Sequence, residues 1–249
     1  MNKLISFDLK SDLGFFKVPD LNDVYLTYNM IHKPALLGIL GSILGLSGYT
    51  ENSKMPEYYE KLKHLKIGIE PLNSENGTYQ KMMVKYVNST GFANDDGNLI
   101  VTEQILIKPE FRCYLLLDID NSVEKLLYRR IKSQESYYIP YFGKNDFQLW
   151  WEKDLVKEYN FEIFDYSKNF KINTIFKKDT AIREYIAKTY SRTGSISFHH
   201  FERLPINYDE VLFQYNFGDF VFSDATFEKN MIFESTIYDL DNKDIIQLF

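Results

Sequence analysis

The stretch Phe111 to Ile119, FRCYLLLDI, is followed at once by NSVEKLLYRRIKS, residues 121 to 133. A continuous apolar run of this length reads as a central strand covered on both faces. The segment after it reads as a helix. Asn121 or Ser122 can cap it, and Val123, Leu126, Leu127 and Ile131 recur on one face while Lys125, Arg129 and Lys132 stay off that face. Immediately upstream, residues 79–89 and 99–108 are two extended segments of mixed polarity. TGFANDDGN (90–98) lies between them, and its Gly, Asn and Asp supply turn conformations. This predicts a long hairpin. Its polar residues on both arms, among them Lys81, Lys85, Thr102 and Gln104, predict that it projects away from the core.

Nearer the start, Ile5, Phe7 and Leu9 alternate with polar residues and predict a half-buried strand. A loop with Gly14 and Pro19 follows, then a strand-like stretch from Tyr25 to Ile31. Pro34 suits the first position of a helix, which is expected to run through ALLGILGSILGL to Gly48. The order strand, helix, hairpin arms, strand, helix predicts an α+β chain. Its core is a ferredoxin-like βαββαβ domain (1–150), with an extended hairpin at 79–108. Residues 161–176 and 195–233 are rich in Phe, Ile, Val and Tyr, with turns expected at Gly194 and Gly218 and one helix from Thr180 to Tyr190. They predict a smaller β-rich C-terminal domain (151–249).

The chain has 249 residues, 45% of them apolar and 26% charged, enough to bury a full core, which excludes disordered and fibrous classes. A single cysteine, Cys113, leaves no intrachain disulfide and points to a reduced, cytoplasmic setting. Asp8 interrupts the place where a signal peptide would stay apolar. The most apolar stretch, Pro34 to Leu46, is shorter than the roughly 18 residues a membrane span needs, so no membrane partner is expected. The formal net charge of -6 argues against a strongly basic nucleic-acid binder, yet the charge is uneven: -3 over residues 1–120, +4 over 121–203 and -7 over 204–249. The basic middle third also interleaves aromatics such as Tyr128, Tyr137, Tyr138 and Tyr141. Cations for phosphate and flat rings for bases are what single-stranded nucleic acid requires, although aromatics are 16% of the whole chain and ordinary packing also accounts for them.

Two candidate sites emerge. The helix from Pro34 carries Gly38, Gly41 and Gly45 at spacings of three or four, a strip without bulky side chains that costs roughly 3 kcal/mol relative to alanine. Either tight packing or a nucleic-acid backbone lying along the helix accounts for it. Tyr28, His32 and Lys33 approach the N-terminus of this helix, where free N–H groups favour an anion. The second candidate is PYFGKN, 140–145, in which Gly143 permits close approach, Lys144 can meet a phosphate and the preceding rings can stack. Catalytic signals are weak. There is no GxSxG elbow, dinucleotide fingerprint or HExxH. His199 and His200, on a strand, face opposite ways, and Asp95 and Asp96 sit in a turn. No metal or cofactor is expected.

Taken in order, ISFDLKSDLGFFKVPD, YLTYNMIHKPALLGILGSILGL, DGNLIVTEQILIKPEFRCYLLLDI, YYIPYFGKN and HFERLPI resemble the Cas-five family of CRISPR-associated proteins. These are RAMP-type subunits of type I Cascade complexes, and the resemblance is closest to type I-B. It spans residues 4 to about 206. It implies a cytoplasmic, non-catalytic crRNA-binding subunit that holds the five-prime handle of the guide and caps the backbone filament in antiviral defence. Such a subunit contacts the backbone subunit and the large subunit, and reaches target DNA through the complex. By motif, the handle would lie near Lys10, Phe16, the Tyr28, His32 and Lys33 approach, Gly41, Gly45, and Gly143, Lys144 and Asn145. The hairpin would be the thumb. Type I-C relatives instead act as metal-independent endoribonucleases on precursor RNA, with a Tyr and an adjacent Lys-His pair. That alternative meets a departure here, because no histidine lies between His64 and His199.

Overall fold

A computed structural model describes residues 1–19, 24–51, 53–88, 99–180, 182, 185 and 198–249. The first half contains β1 (Asn2–Ser11), β2 (Leu13–Gly14), β3 (Val24–Tyr25), α1 (Lys33–Leu44), α2 (Glu57–Leu62), β4 (Lys66–Leu72), β5 (Lys81–Asn88), β6 (Leu99–Ile107), β7 (Glu110–Asp118) and α3 (Ser122–Ser133). The second half contains β8 (Leu149–Trp150), β9 (Lys157–Tyr159), β10 (Phe161–Ile163), β11 (Phe176–Lys177), β12 (His199–Asp209), β13 (Gln214–Ser223), β14 (Ile237–Leu240) and β15 (Ile245–Gln247). The molecule is α+β, rich in strands and with few helices.

The central sheet is antiparallel, in the order β4-β7-β1-β8, with β9 also paired to β1. In the chain its parts run β1, α1, β4, β7, α3, then β8 and β9. Strand β7 is central, as its unbroken apolar run predicts, pairing Phe7 with Cys113 on one side and Ile67 with Leu115 on the other. The fourth strand is β4, KIGIEPL, which the sequence reading passes over because Gly68 and Pro71 dilute its strand character. The hairpin arms therefore do not belong to this sheet. β5 and β6 pair with each other from Lys81–Leu106 to Asn88–Leu99, and β6 is gripped at its base by β2 and β3. The hairpin's turn residues lie outside the described residues.

Strand β1 is buried on both faces, not half-buried as its alternation suggests. Ile5, Phe7 and Leu9 pack with Leu36, Leu40, Leu127 and Ile131 of α1 and α3. Leu4 faces the other way, toward Tyr114, Tyr159, Ile246 and Leu248. The polar residues of that second face are satisfied internally. Arg112 donates to both oxygens of Asp8, at 2.8 and 3.0 Å, and Ser6 Oγ lies 2.9 Å from Tyr159 Oη. The C-terminal residues close over this face and along β4, where Ile67 and Phe249 exchange backbone hydrogen bonds of 3.0 and 2.9 Å.

Both predicted helices form, with different accuracy at their ends. Asn121 Oδ1 accepts the Val123 N–H at 2.9 Å and starts α3 as expected. Helix α1 stops well before Gly48. Gly45 adopts φ 70° and the Leu46 N–H turns back to the Gly41 carbonyl at 2.9 Å, a left-handed C-terminal stop. The stretch Tyr25 to Ile31 is a strand only at Val24–Tyr25. Beyond that, one isolated antiparallel bridge pairs Thr27 with Lys17, and then Glu202 accepts the N–H of Asn29 at 2.6 Å and of Met30 at 3.0 Å, so no ladder continues.

In the C-terminal part, β10-β14-β15 and β11-β13-β12 form two three-stranded sheets around a core that includes Phe170, Phe176, Phe227 and Phe233. Gly218 is not a turn. It lies within β13 opposite Leu204, and the β12–β13 connection runs through 210–213, where Asp209 Oδ1 accepts the N–H groups of Val211 and Leu212. The turn expected at Gly194 and most of the helix expected from Thr180 to Tyr190 fall outside the described residues. Among the described residues, no helix is long and apolar enough to cross a membrane.

Candidate nucleic-acid interface

A cavity of about 950 Å³ opens where several distant segments meet. One wall is the outer side of α1, with Pro34, Ala35, Gly38, Ile39 and Ser42. The loop containing Tyr138, Tyr141, Gly143 and Lys144 forms another. Phe15, Phe16 and Lys17 lie at its base, Tyr58 of α2 closes one side, and Tyr208 and Tyr215 of the β12–β13 hairpin close the far end. The tyrosine hydroxyls there stay protonated, since burial pushes the pKa of Tyr58, Tyr208 and Tyr215 upward. Tyr208 donates to the Tyr215 hydroxyl at 3.2 Å.

The groove gathers part of each sequence-predicted site. Phe16, His32, Gly143 and Lys144 all line it. Phe16 is buried and packs edge-on against Phe111, Phe142 and His32, so it is part of the floor rather than a free stacking face. Tyr28 is also buried, edge-on to His32. The helix N-terminus does not offer the expected open anion site. Pro34 has no N–H, His32 Nδ1 accepts the Ala35 N–H at 3.3 Å, and the His32 carbonyl accepts that of Leu36 at 3.0 Å. Lys33 turns inward, donating to the carbonyls of Leu65 at 2.6 Å and Phe249 at 3.2 Å. Burial lowers its pKa to about 8.

The glycines serve close approach of the protein's own groups. A Cβ on Gly41 would lie 2.4 Å from Tyr58 Cβ, and one on Gly45 would lie 2.5 Å from Tyr137 Cγ. Neither glycine lines the groove, whereas Gly38 and Gly48 do. Gly143, at φ 79°, sits so close to the Phe15 carbonyl that a Cβ would fall 1.6 Å from its oxygen. What approaches Gly143 is therefore the backbone at Phe15, just past β2, not a ligand. Lys144 is half committed: its ammonium lies 2.7 Å from Glu103 of β6 and over the Tyr86 ring of β5, at 4.5 Å. Asn145 is exposed in the turn. Lys10 lies elsewhere, between Glu110 at 3.1 Å and Glu152 at 3.6 Å.

Tyr58, Tyr208, Tyr215 and Lys17 are lining residues that the sequence reading did not single out. They lie up to 200 residues apart in the chain, beyond the reach of any local spacing. Among the described residues no group of three or more His, Cys, Asp or Glu is placed to hold a metal ion.

No family model matches the chain, and no curated protein sequence matches it. Solved structures do. A chain of a CRISPR RNA-guided surveillance complex superposes with a TM-score of 0.50 at 10% identity, covering 90% of this chain and 91% of that one. A CRISPR protein from Archaeoglobus fulgidus gives 0.49 at 11% identity, over 100% and 98% of the two chains. A chain of the type III-B Cmr-beta complex bound to cognate target RNA gives 0.46 at 10% identity, over 92% and 86%. Over nine-tenths of its length, this chain is thus similar in fold to a chain from a CRISPR RNA-guided surveillance complex.

Proposed function

We propose that this chain is a non-catalytic RNA-binding subunit of a type I CRISPR surveillance complex, of the Cas-five kind. In this reading the central sheet with α1 and α3 is a ferredoxin-like RAMP core, the β5–β6 hairpin is its thumb, and residues 151–249 are a β-rich C-terminal domain. The five-prime handle of the guide lies in the tyrosine-lined groove, the backbone and large subunits pack beside it, and target DNA is met through the assembled complex. The observation that carries this is the groove itself. Rings and small residues from five separate segments converge on one opening, on a fold similar to that of a surveillance-complex chain.

The non-catalytic part of the reading is supported by where the histidines stand. His32 is buried, and burial lowers its pKa to about 3. His64 lies 2.9 Å from the Glu124 carboxylate, and His200 lies on β12 beside Glu202. Two measurements test the proposal. Purified protein incubated with labelled repeat RNA in EDTA should leave it uncut, and a single specific cut lost in His199→Ala or His200→Ala would make the chain a ribonuclease. Co-expressed with the other subunits, it should carry guide RNA into the complex, while Tyr141→Ala, which removes an exposed ring, should lower guide retention at unchanged melting temperature. Base stacking sets the scale at about 1–3 kcal/mol per ring.

A further inference from the structure

The floor of the groove holds a polar group that the fold positions but does not use. His32 is 5% exposed and its ring lines the cavity. Nδ1 accepts the Ala35 N–H at 3.3 Å as the cap of α1, which puts the ring proton on Nε2. The ring is wedged by three edge-on neighbours, with centroids 6.2 Å away for Phe16, 5.4 Å for Tyr28 and 5.6 Å for Tyr215. Nε2–H has no hydrogen-bond partner among the described residues, which leaves it available to a group that enters the groove. Desolvation keeps the imidazole neutral, so it offers one fixed donor and no charge.

The rest of the groove does not suit a phosphate. Its lysines are Lys17, which lies over the Tyr25 ring at 3.7 Å, and Lys144, paired with Glu103, while the first N–H groups of α1 are already taken. Aromatic rings plus one neutral, fixed donor suit a flat heterocycle with an acceptor on its edge. We propose that the groove takes one unstacked nucleobase of a single-stranded RNA and that His32, through Nε2–H, reads an acceptor on that base. This deepens the RNA-binding reading and rests on it. His32 is then a specificity residue as well as a helix cap.

The test separates the two roles. Asparagine also caps helices, so His32→Asn keeps an acceptor for the Ala35 N–H and removes the ring donor. The full chain is titrated with single-stranded RNA of about ten nucleotides, within the range one such fold covers. The intact strand is compared with strands carrying one abasic site at each position in turn. One position should matter most, with the abasic strand bound about tenfold more weakly, in the range of a single stacking contact. His32→Asn should bind the intact strand about three- to tenfold more weakly, as loss of one neutral hydrogen bond implies, and should bind that abasic strand as the wild type does. Equal weakening for intact and abasic strands, or none for either, overturns the proposal. If His32→Asn does not fold, the ¹⁵N resonance of His32 Nε2 in the wild type decides. It should shift with intact RNA and stay in place with the abasic strand, and a resonance unmoved by both overturns the proposal. A wild type that binds no RNA but whose Nε2 resonance moves with millimolar nucleoside keeps the base pocket and removes the RNA-scaffold reading. If it responds to neither, both fall.

Discussion

At Gly143 the backbone adopts φ 79° and the Phe15 carbonyl oxygen occupies the space of a side chain. Gly143→Ala should therefore be strongly destabilising, by about 3 kcal/mol or more, since left-handed strain adds to a clash that only backbone movement can relieve. Denaturant unfolding measures it. Gly41→Ala should also destabilise, by about 1–3 kcal/mol, because the neighbour at 2.4 Å is the Cβ of Tyr58 and not a flexible tip. Gly48→Ala is the internal control: nothing lies within 4 Å, so its melting temperature should barely move. His32 adds a pH signature. Its folded pKa, about 3, lies below the unfolded value near 6.5. The unfolded state therefore binds the extra proton first, and the contribution of His32 to stability is whole above about pH 6.5 and lost as pH falls toward 3. Wild-type stability should drop by about 1.4 kcal/mol per pH unit over that window from this group, a slope that His32→Asn removes.

The β5–β6 hairpin is tied to the groove through one ion pair. Glu103 of β6 is buried, at 7% exposure, and Lys144 at the groove margin lies 2.7 Å from it while covering Tyr86 of β5. Lys144→Ala strands a carboxylate and should cost about 1–3 kcal/mol, less than a fully buried pair because the lysine is a quarter exposed. Adding Glu103→Gln removes the stranded charge and should recover most of the loss, which a double-mutant cycle by thermal melting shows. The pair explains why an element with exposed Met83, Val87 and Ile100 keeps a defined stem: β2, β3 and Lys144 fix its base. The short edge pairings depend on Leu13, Gly14, Val24 and Tyr25, whose local sequence carries little strand signal.

Across the whole molecule, the central sheet is sandwiched, with α1 and α3 on one face and the C-terminal segments on the other. The second face includes charge, since Asp8, Arg112, Glu70 and Tyr114 are linked there, and burial raises the pKa of Glu70. Arg112→Leu leaves Asp8 buried and unpaired at 4% exposure and should cost about 3–5 kcal/mol with an unchanged urea m-value. Asp8→Leu combined with Arg112→Met should restore much of that stability, because the pair's desolvation cost disappears with it. A chain of net charge -6 has little general attraction for RNA phosphates. The proposed guide contact then depends on the groove's rings and on neighbouring subunits for charge neutralisation, and RNA affinity of the free chain should be weak with a shallow salt dependence.

Elements whose signals are local are legible in the sequence. Phe111–Ile119 as a central strand, Asn121 as a cap, the position of α1 and the hairpin arms can all be read from it, because periodicity and capping act over three to ten residues. Residue type and context also brought His32, Gly143 and Lys144 forward, and the family resemblance added Phe16. Tertiary structure decided what local spacing cannot express. It placed β4 in the sheet despite Gly68 and Pro71, since pairing with β7 outweighs weak propensity. It buried both faces of β1 by folding residues 237–249 back over it, and it ended α1 at Gly45 by a backbone turn. It turned the Gly41 and Gly45 side of α1 toward Tyr58 and Tyr137 while Gly38 and Ser42 face the groove, because which side of a helix packs depends on neighbours that arrive from elsewhere in the chain. Tyr58, Tyr208 and Tyr215 become one wall only once the β12–β13 hairpin reaches α2, where Tyr59 accepts the Tyr208 N–H at 2.9 Å.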